Sequence, residues 1–139
     1  MDRRVMVTFY IGGGAWDPDT CTSALGLQPT RIRRRGSVAP AGGPPARENG
    51  WSIDTDWEES DSTDSVVAGL VNRLWERRFA IRQFCEENGA GCAFVAVVEI
   101  LEERPVYELT SATIARMSEF GADFSLDIYD LREGQTHCQ

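Results

Sequence analysis

Hydrophobic and polar residues alternate along several stretches of this chain, and one long stretch carries almost no polar positions. Cys92 to Leu101 (CAFVAVVEIL) holds one charge, Glu99, and neither Gly nor Pro. Its length and β-branched content predict a strand rather than a helix. Phe94, Ala96, Val98 and Ile100 would line one face, with Val95, Val97 and Leu101 on the other. Both faces then need cover, from the chain itself or from a partner.

Val5, Val7, Phe9 and Ile11 alternate as a first strand, which Gly12-Gly13-Gly14 ends. Asp17-Pro18 supplies an N-cap and a proline at the first helical position, and Gly26 and Pro29 stop that helix. Thr30 to Gly36 (TRIRRRG) is basic and extended, and residues 37–49, rich in Pro and Gly, read as a mobile loop. Trp51 to Trp57 (WSIDTDW) alternates, with Trp51, Ile53, Thr55 and Trp57 on one face and Ser52, Asp54 and Asp56 on the other. The acidic and hydroxyl run from Glu58 to Asp64 starts a long helix with Val67, Leu70, Val71, Leu74, Ile81, Phe84 and Cys85 inward, ending at Gly89. Arg77-Arg78 interrupts that stripe and predicts a break near residue 77, with Phe79 off the apolar face. Glu102 to Pro105 reads as a turn and Val106 to Leu109 as a short strand. Thr110 or Ser111 caps a helix with Ile114, Met117 and Phe120 inward, closed by Gly121. Phe124, Leu126 and Ile128 alternate in a last strand, and residues 131–139 form a polar tail.

These elements predict one domain over residues 1–139, of α+β class. The expected core is a mostly antiparallel sheet of about five strands with three helices. Its second part has the order of a ferredoxin-like βαββαβ unit, preceded by an extra β-α pair. That order leaves the Cys92 strand at a sheet edge. Val5 to Ile11 is the first candidate to cover it, and a homodimer the second.

Charge changes the picture of partners more than that of the fold. The formal net charge is −8. Residues 1–50 hold seven Arg against four acids (+3), and residues 51–139 seven Arg against eighteen (−11). Nucleic acid and anionic membrane are therefore disfavoured as partners. All fourteen basic residues are Arg, which excludes lysine chemistry. Cys21, Cys85, Cys92 and Cys138 lack paired spacing, and His137 is the single histidine. No metal, no cofactor and no disulfide framework is expected, and buried reduced thiols point to a cytoplasmic setting. Arg3-Arg4 before an apolar run superficially resembles a signal peptide, but the alternation there is that of a strand. No stretch reaches transmembrane length.

Asp17-Pro18, Leu25 to Thr30 (LGLQPT), Gly36, Gly50-Trp51-Ser52 and Ser125 to Tyr129 (SLDIY) together resemble the bacterial domain-of-unknown-function family 4279 over about residues 5–130. The resemblance implies a compact bacterial α+β domain and transfers no catalytic residue. It also implies that an immunity-like role, as the partner of a toxin, is open to such a chain.

Three groups of residues could carry chemistry. The Gly-rich turn before the first helix could cradle a phosphate, although it matches no nucleotide fingerprint and Asp17 puts negative charge there. Arg31, Arg33 and Arg35, projecting to one side of an extended segment, could clamp an anion; the alternative is solvation or pairing with acids. Asp54 or Asp56 could approach Asp127, with Tyr129 alongside, if their strands are neighbours; a polar sheet face is the plainer explanation. Trp51 could line a groove, but most of the four tryptophans should be core. The resulting expectation is recognition without catalysis: an acidic surface offered to a basic protein partner. Binding of a small molecule or anion, or catalysis on one, between the Arg31–Arg35 cluster and Asp54, Asp56 and Asp127 is the alternative.

Overall fold

The computed structural model describes residues 3–102 and 107–132. Six strands form one sheet: β1 (Arg3–Gly12), β2 (Arg31–Arg33), β3 (Gly50–Asp54), β4 (Glu58–Glu59), β5 (Gly91–Ile100) and β6 (Asp123–Asp130). Along the sheet the order is β2-β3-β1-β5-β6, with β4 also paired to β1. Only the β5–β6 pair is parallel. The fold is thus α+β with a mostly antiparallel sheet.

The apolar strand β5 is indeed covered along one edge by β1, in an unbroken register from Arg3↔Ile100 to Gly12↔Gly91. This pairing makes β1 the centre of the sheet and places β5 between β1 and β6 rather than at an edge, with β3 and β6 far apart. The strand order therefore differs from that of a ferredoxin-like unit, which leaves the Cys92 strand at an edge. Of the short strand expected at Val106 to Leu109, residues 107–109 form no strand, and Val106 lies outside the described residues. So do Arg104, Pro105, His137 and Cys138.

The helices are α1 (Pro18–Leu25), α2 (Thr63–Leu74), α3 (Arg78–Asn88) and α4 (Ser111–Ser118). A 3-10 turn, Trp75–Arg77, joins α2 to α3 at the place where the apolar stripe is interrupted. Capping follows side-chain chemistry. Asp17 accepts from Asp19 N at 2.8 Å, Ser62 from Ser65 N at 3.0 Å and Thr110 from Thr113 N at 3.2 Å. Gly26 and Gly89 close α1 and α3 in the left-handed conformation. Asp64, in the first turn of α2, accepts from Thr110 N at 2.8 Å and so ties the start of α2 to the cap of α4.

All the helices contribute to one apolar core on a single face of the sheet. Val5, Val7, Phe9 and Ile11 of β1 point into it, beside Trp51 and Ile53 of β3 and Phe94, Ala96 and Val98 of β5. The rings of Phe9, Phe94 and Phe120 meet at its centre, with centroids 5.0–6.2 Å apart. Met117 of α4 and Phe120 just past its end are buried as expected, but Ile114 is 52% exposed and Thr113 takes the inward place beside it. The WSIDTDW segment is not one strand. Thr55 Oγ1 accepts from Val7 N at 2.9 Å, Thr55 N donates to Val7 O, and pairing with β1 resumes only at Glu58. A hydroxyl substituting for a backbone carbonyl breaks the ladder there.

Gly14 belongs to the packing, with φ +75° and a hypothetical Cβ only 2.3 Å from Asn88 O at the end of α3. The Gly-rich turn is a close approach of two backbones. Trp16, just beyond, packs edge-on against Phe84.

Candidate functional site: the bare face of the sheet

Strand alternation that buries one face of the sheet must present the other. That second face carries Arg31 and Arg33 of β2, Ser52 and Asp54 of β3, Arg4, Met6, Thr8 and Tyr10 of β1, Ala93, Val95, Val97 and Glu99 of β5, and Ser125, Asp127 and Tyr129 of β6. No described helix lies over it. Val95 and Val97, expected to be covered, are only half-buried, and Met6 lies directly opposite Val97. Leu101 lies just past the strand and is likewise half-buried. An apolar band thus runs down the middle of an otherwise polar surface.

Ion pairs flank the band. Arg31 Nε donates to Asp54 Oδ2 at 2.9 Å and its Nη2 to Asp54 Oδ1 at 3.1 Å, a two-pronged pair. Asp54 Oδ1 also accepts from Thr8 Oγ1 at 2.7 Å. Arg4 pairs with Glu99 and lies over the Trp57 ring, 5.0 Å from its centroid. Trp57 remains 39% exposed, and Glu59 lies opposite Arg4 on the neighbouring strand. Tyr129 donates its hydroxyl to Asp127 Oδ2 at 3.1 Å, which raises the tyrosine pKa.

This geometry sorts the residues singled out above. Asp54 and Asp127 share a face but are not neighbours, because β1 and β5 lie between their strands. The rung of Asp54 runs through Thr8 and Val95 to Ser125, three strand spacings or about 14 Å. That distance rules out a shared proton or a shared cation. Asp56 lies off this face and borders a separate hollow of about 380 Å³ that Arg73 of α2 also lines. Trp51 is fully buried, and its Nε1 donates to Thr22 Oγ1 at 3.0 Å, which makes it core rather than groove wall.

The arginines have separate tasks rather than one clamp. β2 ends at Arg33, so the alternation expected to bring Arg35 beside Arg31 and Arg33 stops short. Arg34 reaches both Asp17 and Asp19 at 3.2 and 3.1 Å. The Asp19 backbone N–H and the Arg34 guanidinium hold the Asp17 carboxyl below its usual pKa. Among the described residues neither Arg33 nor Arg35 has a recorded ion-pair partner.

Arg33 borders a groove of about 760 Å³ between the sheet and the Pro-rich loop, with Tyr10, Ser52, Val38, Pro40 and Pro44 also lining it. Tyr10 lies flat across two glycines: a Cβ at Gly12 would come within 2.3 Å of its hydroxyl, and one at Gly50 within 3.0 Å of its ring. Burial, followed by the nearby Glu48 charge, raises the Tyr10 pKa while Arg33 opposes the shift. Tyr10 was the groove residue that the strand pattern did not single out. The flanking glycines were the available signal.

Cys21, Cys85 and Cys92 are free, buried thiols. Burial pushes the Cys21 pKa up to about 12, so the thiolate is disfavoured. Among the described residues no cluster of three or more metal-ligating side chains occurs, and no helix is long and apolar enough to cross a membrane.

No curated protein and no solved structure matches the chain. The anchors at its two ends, the capped α1 and the β6 strand, fall within a family model that matches residues 3–131, and the chain belongs to that family, described as Domain of unknown function (DUF4279).

Proposed function

We propose that this protein is a non-catalytic recognition module that docks a basic protein partner on the bare face of its sheet. The observation that carries this reading is the half-buried Met6, Val95 and Val97 band, with Glu99, Asp127 and the exposed Trp57 at its rim. An apolar centre with a charged rim is the layout of a protein interface. Trp is favoured as an anchor there, and its ring can also receive a partner's Arg or Lys. The chain charge of −8 favours encounter with a basic protein. A bacterial, cytoplasmic, immunity-like role, in which a cationic toxin is held inactive, is consistent with this chemistry.

The test uses the intact chain as bait against total protein from its source, with Trp57→Ala and Val97→Glu as comparison baits. The expected result is a basic protein retained by the original, lost from both variants and released by salt. An identical set of captured proteins on all three baits would overturn the proposal.

A second reading is favoured by one specific observation: Arg33, without a recorded ion pair, on the rim of the groove floored by Tyr10. That groove would suit a small carboxylate or phosphate with an apolar part against Val38 and Pro40. Titration with inorganic phosphate and simple carboxylates, followed by amide or Tyr10 signals, tests it. No response, or an equal response from Arg33→Gln, would reject it.

A further inference from the structure

Among the described residues the outermost strand, β6, is paired on one side only, to β5. Every residue from Asp123 to Tyr129 is exposed. Phe124, Leu126 and Ile128 lie on the helix-bearing side, in register with Phe94, Ala96 and Val98, yet are 36, 38 and 43% exposed. The helical layer stops short of them. Natural edge strands are protected by charged side chains, lysine above all, by proline or by a bulge. This one has no lysine or proline and an unbroken register with β5, and of its three charges Asp123 and Asp130 stand at its ends, which leaves Asp127 alone within it.

We propose that β6 pairs antiparallel with β6 of a second copy of this chain, about a two-fold axis at Leu126 normal to the sheet. Such an axis keeps the two faces apart, so a residue can only meet one of its own face. Two such registers pair seven of the eight residues of β6 (Asp123–Asp130). In the one centred on Leu126, Phe124 meets Ile128 of the second copy and Leu126 meets its own equivalent, all on the helix side. On the bare side Ser125 meets Asp127, and Asp123 meets Tyr129. Each carboxylate on that side then lies opposite a hydroxyl that can donate to it. The register centred on Asp127 instead opposes two Asp127 carboxylates and sets Phe124 against Asp130, which is unfavourable.

This self-complementary order is the argument for a second copy over any other occupant. A closed two-fold contact requires a surface that complements itself, and a foreign strand requires nothing of the kind. The two five-strand paths would join into one continuous sheet, with the bare faces side by side. This inference does not depend on the proposed partner-binding face.

The experiment is sedimentation of the full chain over a range of concentrations at low and high salt. The expected result is a concentration-dependent rise from 15.5 kDa towards twice that mass. Association should strengthen with salt, because the two protomers repel. Leu126→Lys and Leu126→Asp should each weaken self-association at least tenfold while keeping the native circular dichroism. Mixing the two variants should restore a heterodimer, since opposite charges then meet at the axis. A mass of 15.5 kDa under all conditions, a dimer that Leu126→Lys leaves intact, or failure of the mixture to associate would overturn the proposal. Trp57→Ala and Val97→Glu, which alter the bare face, should leave this mass unchanged.

Discussion

A carboxylate placed at two adjacent positions of β5 should have opposite consequences, because successive side chains face opposite layers. Val98 is fully buried, opposite Val5 and in register with Ile128. Glutamate there sits among apolar side chains, with buried Arg3 the diagonal neighbour on the same face, and where that guanidinium keeps its own contacts burial forces the carboxyl pKa up from about 4.3 towards about 8–9. A rise of that size corresponds to ~6 kcal/mol against the ionised form, comparable with the ~5–15 kcal/mol that holds a whole domain together.

The sign of the pH effect follows from that direction. The buried carboxyl is neutral below the unfolded value of about 4.3 and fully charged only above the folded value. The penalty is therefore absent at the acid end and grows as pH rises between the two. Val98→Glu should be marginal or unfolded at neutral pH and recover on acidification. Val97 lies on the bare face, between Met6 and Asp127. Its replacement by Glu forfeits the burial of a half-covered valine, about 1 kcal/mol. Repulsion from Asp127 adds about 0.2–1 kcal/mol. With a urea slope of about 1–3 kcal/mol per molar, the midpoint should fall by about 0.4–2 M. Paired urea titrations at several pH values measure both variants. If Val97→Glu were as damaging as Val98→Glu, a second layer would have to cover that face, and the bare-face reading would be wrong.

Four further outcomes follow from individual side chains. Arg31→Gln should lower stability by no more than about 1 kcal/mol, since its pair with Asp54 is largely exposed on the arginine side. Arg33→Gln and Arg35→Gln should leave the urea midpoint unchanged; a drop would reveal internal roles for both. Asp17→Asn should destabilise at neutral pH. Because the folded-state pKa of Asp17 is lowered, the difference from the original should shrink as pH falls through that value, which thermal melts at several pH values would show. Cys21, Cys85 and Cys92 should resist a thiol reagent in the native state and react on unfolding; rapid modification of the native protein would contradict their burial.

Local signals were read well and non-local ones were not, for a physical reason. Asp17-Pro18, Gly26 and Gly89 act on their own backbone, so the helix ends were visible in the chain. So was the alternation of β1 and β5, and even their pairing, because an apolar edge must be covered. Strand order beyond that pair depends on which edge β3 takes, and its own residues do not encode the answer. The expected approach of Asp54 to Asp127 fails for this reason. WSIDTDW alternates faultlessly, yet Thr55 leaves the ladder because its hydroxyl reaches Val7 N. A side-chain donor or acceptor that competes with the backbone is invisible to periodicity. Of the candidate site, pairing of Arg31 with an acid is legible in the charge pattern, whereas the flat seat of Tyr10 needs Gly12 and Gly50 brought side by side.

The central position of β1 has a consequence for the order of events in folding. Its longest partner, β5, lies about a hundred residues later in the chain at the far end of their register. β3 offers only five paired positions in the meantime. Closing so long a loop precedes most of the reward, which places the chain among slow, high-contact-order folders. Until Gly91 to Ile100 has been synthesised, one edge of β1 stays open, with Val5, Val7, Phe9 and Ile11 only partly covered. A chain halted before that point would present a sticky strand edge. Fragments ending near Asn88 should therefore aggregate or engage chaperones, although they contain three of the four helices.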